Sequence, residues 1–284
     1  MKIHSFPLLI MLTLAMTNSS YSQDFEPLAL AKQIFENEKF PNIGNYVTGE
    51  YDGRPSKQDL AKGVMTQFLL LEQKDKKAVV SMTISDPTGK AMDTYLFFEK
   101  DSIWKMSAFR ALAMTGMIEQ AKNELENLSP KQVNQIIKAA KKNKKGEESQ
   151  MFSSKEAYNF ALGNAKLTLE LDEKIIEHFL KNKKEFERIK DLMLSEVQRT
   201  KDEKMTEMKV GEDLKLAYRK LFISAVTMGG YELGNGLNFL IGGMVDNTVG
   251  YLYVKDKKDL PQMDASGVIM LREIGNGWYV YKTT

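Results

Sequence analysis

Two stretches of this chain carry the two-residue period of β-strands, and a long stretch between them has the spacing of helices. That order constrains the fold most. Strands grouped with strands and helices with helices exclude an alternating βαβ chain and predict antiparallel sheets packed with helices. In the first β stretch, Phe68 to Leu71 and Ala78 to Ile84 are separated by Lys74, Asp75, Lys76 and Lys77, which reads as a hairpin. Asp86, Pro87, Thr88 and Gly89 make a second turn. Thr94 to Phe98 and Ile103 to Phe109 then run to and fro across Asp101 and Ser102, completing a four-stranded meander. In the second stretch, Leu237 to Met244 is a strand, Asp246 and Asn247 turn it, and Val249 to Lys255 runs back. Pro261 to Ala265 is a loop. Gly267 to Ile274 then pairs with Trp278 to Lys282 across Gly275, Asn276 and Gly277, an Asn-Gly hairpin signal.

Between and before these stretches the period is helical. Residues 28–40 are amphipathic after Pro27, which suits a first helical turn. Residues 46–63 are mixed: Tyr46 to Tyr51 has strand character and Ser56 to Lys62 reads as a helical turn. Leu112 to Leu128 is helical. Ser129, Pro130 and Gln132 form a capping signature for the next helix. Ser153 with Glu156 starts another, expected to end at Gly163. Asp172 caps a further helix, and Asn182 with Glu185 marks a fresh start. Across these two, Ile175, Ile176, Phe179, Phe186, Ile189 and Met193 recur at helical spacing. Residues 198–209 are almost wholly polar and read as an exposed helix end or loop. A helical pattern resumes over Asp213 to Thr227.

The N-terminus reads as an export signal. Lys2 precedes the 11-residue apolar run Phe6 to Met16, and Ser20 and Ser22 are small enough for a signal peptidase. Cleavage after Ser22 leaves Gln23 as the mature start and lowers the net charge from +2 to +1. The run is too short to span a bilayer of ~30 Å. A second apolar stretch, Leu221 to Val245, holds six glycines, Asn235, Asn238 and Glu232. Its polar centre would be poor in lipid, so it reads as a helix end, a loop and a buried strand, and no transmembrane span is expected in the mature protein.

The expected architecture is α+β. Residues 1–22 are a signal peptide, and residues 23–128 a first module of antiparallel meander and helices. Residues 129–151 form a lysine-rich helical connector, and residues 152–284 a second module with helices followed by a meander. In both meanders a tryptophan stands nine residues after a strand's entry, from Tyr95 to Trp104 and from Ile269 to Trp278, just past a turn. They are the two tryptophans of the chain, each placed to cover the end of a sheet, and the parallel suggests an internal repeat.

Composition removes several chemistries. There is no cysteine, hence no disulfide, thiolate metal site or cysteine nucleophile. An exported chain would normally be permitted disulfides, so this one must rely on its core. After removal of residues 1–22 a single histidine remains, His178, between Glu177 and Phe179 on an amphipathic helix. A zinc site would then need mostly carboxylates, and no Gly-x-Ser-x-Gly elbow accompanies a triad. Neither metal nor cofactor is expected. With 40 basic and 38 acidic residues the chain has no electrostatic case for nucleic acid.

The remaining candidates are ordered by their chemistry. Asp86-Pro-Thr-Gly-Lys90 lacks the full phosphate-loop pattern and reads as a turn. Gly229 to Gly236 follows a helical pattern rather than a strand, so the dinucleotide fingerprint does not apply. The carboxylate pairs Glu50 with Asp52 and Asp256 with Asp259 lie near turns. Lysines 138–145 lack interleaved aromatics and read as a solvated helix end. Tyr46, Tyr51, Tyr251 and Tyr253 read first as packing residues and second as pocket walls. Arg110 is the ligand-binding candidate. It ends the last strand of the first meander amid Phe109, Ala111 and Leu112, placed to reach a sheet–helix pocket and pair with a carboxylate of a ligand or of the protein.

Asp172-Glu-Lys-Ile-Ile-Glu-His-Phe, Asn182-Lys-Lys-Glu-Phe-Glu-Arg-Ile, Gly250-Tyr-Leu-Tyr and Gly277-Trp-Tyr-Val-Tyr resemble a group of uncharacterised bacterial exported proteins. The first module, with Ile103-Trp-Lys-Met-Ser-Ala-Phe-Arg110-Ala-Leu-Ala, resembles the sheet of cystatin-like or nuclear-transport-factor-2-like domains. The resemblance implies a fold and a periplasmic or secreted location, and it carries no catalytic residues. The leading expectation is a non-enzymatic binding or assembly protein of the cell envelope, with a protein or small ligand as partner. An enzyme with a pocket in the first module predicts charged side chains converging in a deep cleft. An inhibitor or immunity-type protein predicts a closed core and a protruding loop.

Overall fold

In the computed structural model the two β-rich stretches form two separate antiparallel sheets, joined by a helical region. Residues 23–142, 152–200, 211–230 and 232–284 are described. Residues 1–22, read above as a signal peptide, Lys144 and Lys145 of the lysine cluster, and most of the polar stretch 198–209 lie outside them.

The first sheet comprises β1 (Met65–Gln73), β2 (Lys77–Ser85), β3 (Ala91–Lys100) and β4 (Trp104–Arg110), in that order. Alternation gives it two apolar faces. Ala78, Val80, Met82, Leu96, Phe98 and Met106 face α1 (Pro27–Glu36), which contributes Leu30, Ala31, Ile34 and Phe35. Residues 46–63 form neither strand nor α-helix. Tyr46 ends a single 3₁₀ turn, Val47 bridges to Met106, and Lys57–Asp59 is another 3₁₀ turn. Val79, Tyr95, Phe97 and Ala108 point the other way, into a core shared with the second module.

The helical region contains α2 (Thr115–Glu126), α3 (Pro130–Lys142), α4 (Lys155–Thr168), α5 (Asp172–Thr200) and α6 (Glu212–Lys220). The box at the start of α3 forms as expected: Gln132 Oε1 accepts from the Ser129 amide at 2.9 Å and from its hydroxyl at 2.7 Å. Three boundaries differ from the sequence reading. First, α4 runs through Gly163 to Thr168. A Cβ on Gly163 would fall 2.1 Å from the Phe222 ring, so this glycine makes room for packing instead of ending a helix. Second, α5 passes through Asn182 without a break. The Asn182 amide donates to the His178 carbonyl one turn back at 2.8 Å, and Phe179, Phe186, Ile189 and Met193 form one stripe. Third, the helix expected over 213–227 stops at Lys220. Phe222 sits at φ 60, the Ile223 amide returns to the Tyr218 carbonyl, and Ala225 opens a strand.

The second sheet has β5 (Ala225–Gly230), β6 (Gly234–Met244), β7 (Asn247–Tyr253), β8 (Val268–Gly275) and β9 (Trp278–Thr283) in the order β5-β6-β7-β9-β8. The last hairpin therefore inserts β9 beside β7 and leaves β8 at the edge. Trp278 consequently starts an internal strand and Trp104 an edge strand. Both indoles are buried, and Trp278 is ringed by Phe179, Phe239 and Tyr253 at 4.9–5.4 Å, inside the core instead of over a sheet's end. Leu221 to Val245, screened above for membrane insertion, supplies a helix end and the β5–β6 hairpin. No helix among the described residues is long and apolar enough to cross a membrane.

Candidate functional site

Arg110, the candidate from sequence, lies at the end of β4, where its guanidinium links both modules. Its Nε donates to the Ala265 carbonyl at 2.7 Å, Nη1 to the Phe109 carbonyl at 3.1 Å, and Nη2 pairs with Glu50. Its carboxylate partner belongs to the protein. Glu50 is thereby separated from Asp52, which accepts from the Arg54 amide at 3.1 Å. Asp256 caps a 3₁₀ turn through the Lys258 amide, while Asp259 faces a cavity described below. The Asp86 carboxylate closes its turn on Thr88 and Lys90. Tyr46 and Tyr51 are buried in the first core, and Tyr251 donates to the Ile175 carbonyl at 2.9 Å.

His178 is half-buried. Its Nε2 lies 3.1 Å from the Leu221 carbonyl, which makes that nitrogen the donor, and the ring packs on Phe222 and Phe186. Burial holds its pKa below the ordinary histidine value, which favours the neutral ring.

The chemically densest cluster was not singled out from sequence. Lys282 on β9 is 2.7 Å from Asp172, the first residue of α5, and 3.9 Å from Asp93 on β3. Side-chain exposures are 5%, 5% and 3%, so all three charges are out of water. Asp93 accepts from the Asp172 backbone amide at 2.7 Å and from the Thr83 hydroxyl at 2.6 Å. It thus supplies a negative charge from the first module to the start of a helix in the second. The Tyr95 hydroxyl donates to both Asp172 oxygens at 2.9 and 3.0 Å. Burial, reinforced by the neighbouring Asp172 carboxylate, pushes the Asp93 carboxyl above its usual range. The same two causes raise the Tyr95 phenol. A signal for this cluster exists in the sequence. Lys282 is in phase with Trp278 and Val280, and Asp93 with Tyr95 and Phe97, so each charge sits on an inward face.

Recesses of the surface accompany these polar groups. A cavity of about 580 Å³ opens between α5 (Leu194, Val197) and the sheet (Met228, Leu237, Tyr253), continuing to Val254, with Asn235, Lys255 and Asp259 as its side-chain polar groups. A groove of about 540 Å³ runs between α2, α4 and the β6–β7 turn, beside exposed Met117 and Val245. Its Asn164 side chain is occupied by the Phe222 and Ile241 carbonyls. A third recess, of about 420 Å³, lies between the start of α4 and the end of α6. Among the described residues no three His, Cys, Asp or Glu side chains gather as metal ligands.

Comparison with protein-family models, with curated proteins and with solved structures finds no match for this chain.

Proposed function

We propose that the protein is an exported, non-enzymatic binding protein of the bacterial cell envelope, and that it holds a small, largely apolar ligand between α5 and the second sheet. The observation that carries this reading is the 580 Å³ cavity. Its volume is that of a ligand site, its walls are Leu194, Val197, Met228, Leu237, Tyr253 and Val254, and three polar side chains are available for orientation. The buried Asp93–Asp172–Lys282 cluster also supports binding over hydrolysis. Two carboxylates do meet there, but each is at most 5% exposed and already bonded to the protein, so no substrate reaches them. In the first module, α1 followed by the four-stranded meander favours the cystatin-like resemblance, and α1 fills the space a pocket would need.

Titration of the mature chain with the neutral fluorophore N-phenyl-1-naphthylamine tests the cavity. Saturable fluorescence enhancement that is lost in Met228→Trp, a change that fills the cavity, is the expected result. Undiminished binding by a folded Met228→Trp protein would move the site elsewhere. Mass analysis of the protein from the extracytoplasmic fraction tests export, the expected first residue being Gln23.

A further inference from the structure

The recess between α4 and α6 is lined by Ser153, Asn159, Phe160, Leu216, Arg219 and Phe222, with Lys220 and Glu156 also on its wall. Its floor is aromatic. The Arg219 guanidinium carbon lies 4.7 Å from the centroid of Phe160, so the cation is stacked on the ring. Stacking occupies the face of a guanidinium and leaves its hydrogen-bonding edge, which lies in the plane, open to an acceptor. Among the described residues no protein acceptor bonds to that edge. Nε is buried and has no hydrogen-bond partner, and the side chain is in no ion pair among the described residues. Leaving a buried N–H unmade is costly, and a guanidinium shielded on one face by an aromatic ring is a strong receptor for a planar carboxylate.

Other arginines among the described residues behave differently. Arg54, Arg110, Arg188 and Arg272 each pair with a protein carboxylate. Glu156, the acid on the same wall, is held below its usual pKa by its own backbone amide and by Ser154, with further help from Lys141 and Lys155. It is not a partner of Arg219. With Arg219 and Lys220 against Glu156, the recess keeps one net positive charge.

We propose that this recess is a second binding site, separate from the cavity of the preceding section. It takes a small organic carboxylate with an apolar body, the carboxylate on Arg219 and the body against Phe160, Phe222 and Leu216. The volume of about 420 Å³ suits an aryl- or alkyl-carboxylate of modest size.

Calorimetric titration of the full mature chain with phenylpropionate and with octanoate tests this, with phenylpropionamide as the neutral counterpart. Saturable binding of at least one acid is expected, weakened about tenfold or more by Arg219→Gln and to a similar extent by replacing acid with amide. Equal binding of acid and amide, unchanged binding by Arg219→Gln, or no saturable binding of either acid at millimolar concentration would overturn the proposal. Should circular dichroism show that Arg219→Gln is unfolded, Leu216 decides, since it is 52% exposed and tolerates charge. Both charged variants lose the apolar contact, so the sign of the charge is what reads the carboxylate: Leu216→Glu must weaken binding clearly more than Leu216→Lys, and equal binding by the two overturns the assignment.

Discussion

Lys282, on the penultimate strand of the second sheet, and Asp172, at the start of the longest helix, form an ion pair of 2.7 Å that both modules enclose. Asp93 and Tyr95 from the first sheet complete its coordination. Removing one member of such a set leaves the others charged, buried and unpaired. Lys282→Met should therefore cost about 3–5 kcal/mol of stability, measured as a fall in the urea midpoint. Replacing all three charges together (Asp93→Asn, Asp172→Asn, Lys282→Met) should cost less than Lys282→Met alone, because no unpaired charge remains.

Asp93 should make folding take up a proton. Its folded carboxyl is raised by burial and by Asp172, while unfolded it returns to about 3.9. Its contribution to stability is thus full below the unfolded value and is lost as pH rises through the folded one. Urea unfolding at about pH 8 and about pH 4.5 should show wild type gaining stability relative to Asp93→Asn at the lower pH. An unchanged difference would show that the folded carboxyl is not raised.

His178 has the opposite sign. Burial depresses its folded value, so its contribution is full above the unfolded pKa of about 6.5 and is lost as pH falls through the folded value. His178→Gln should flatten the stability profile between about pH 7 and about pH 5 relative to wild type. Thermal melts across that range read the change directly.

Gly163 lies within α4, where alanine ordinarily stabilises by up to about 1 kcal/mol. Here the Phe222 ring occupies the position of the added methyl, at 2.1 Å. Gly163→Ala should instead destabilise by about 1–3 kcal/mol. A gain in melting temperature would mean that Phe222 moves aside freely.

The link at Arg110 should divide unequally. Arg110 is 22% exposed and bonds to the Ala265 carbonyl as well as to Glu50, whose side chain is 72% exposed. Arg110→Ala should cost about 1–3 kcal/mol. Glu50→Gln should cost less than about 1 kcal/mol, as an exposed partner does. Equal losses would place the energy in the ion pair instead of in the bond to Ala265.

The strands were legible because they are rich in β-branched and aromatic residues and are separated by turn residues. Thr94 to Phe98 is such a run, and Gly275-Asn-Gly277 supplies a turn whose geometry depends on those residues alone, with Asn276 at φ 55 and Gly277 at φ 82. The helix boundaries failed where a distant residue decided them. Gly163 reads as a stop until Phe222 is seen packed on it. Asn182 reads as a start until its amide is seen bonded within the helix. Among candidate sites, Arg110 stood out locally, and its partners, 60 and 155 residues away, did not. Arg219 was not singled out, because its lack of a partner among the described residues is a property of its surroundings.

From the sequence alone follow the α+β class, the four-stranded meander, the final Asn-Gly hairpin and the absence of thiol chemistry. Each depends on short-range periodicity, turn chemistry or composition. Tertiary structure decided that β9 lies between β7 and β8, that both sheets feed one core, and that Lys282 meets Asp93 and Asp172. It also left Arg219 without a carboxylate partner among the described residues. Burial and pairing between residues distant in the chain are set by how the modules pack, and local sequence carries only their phase.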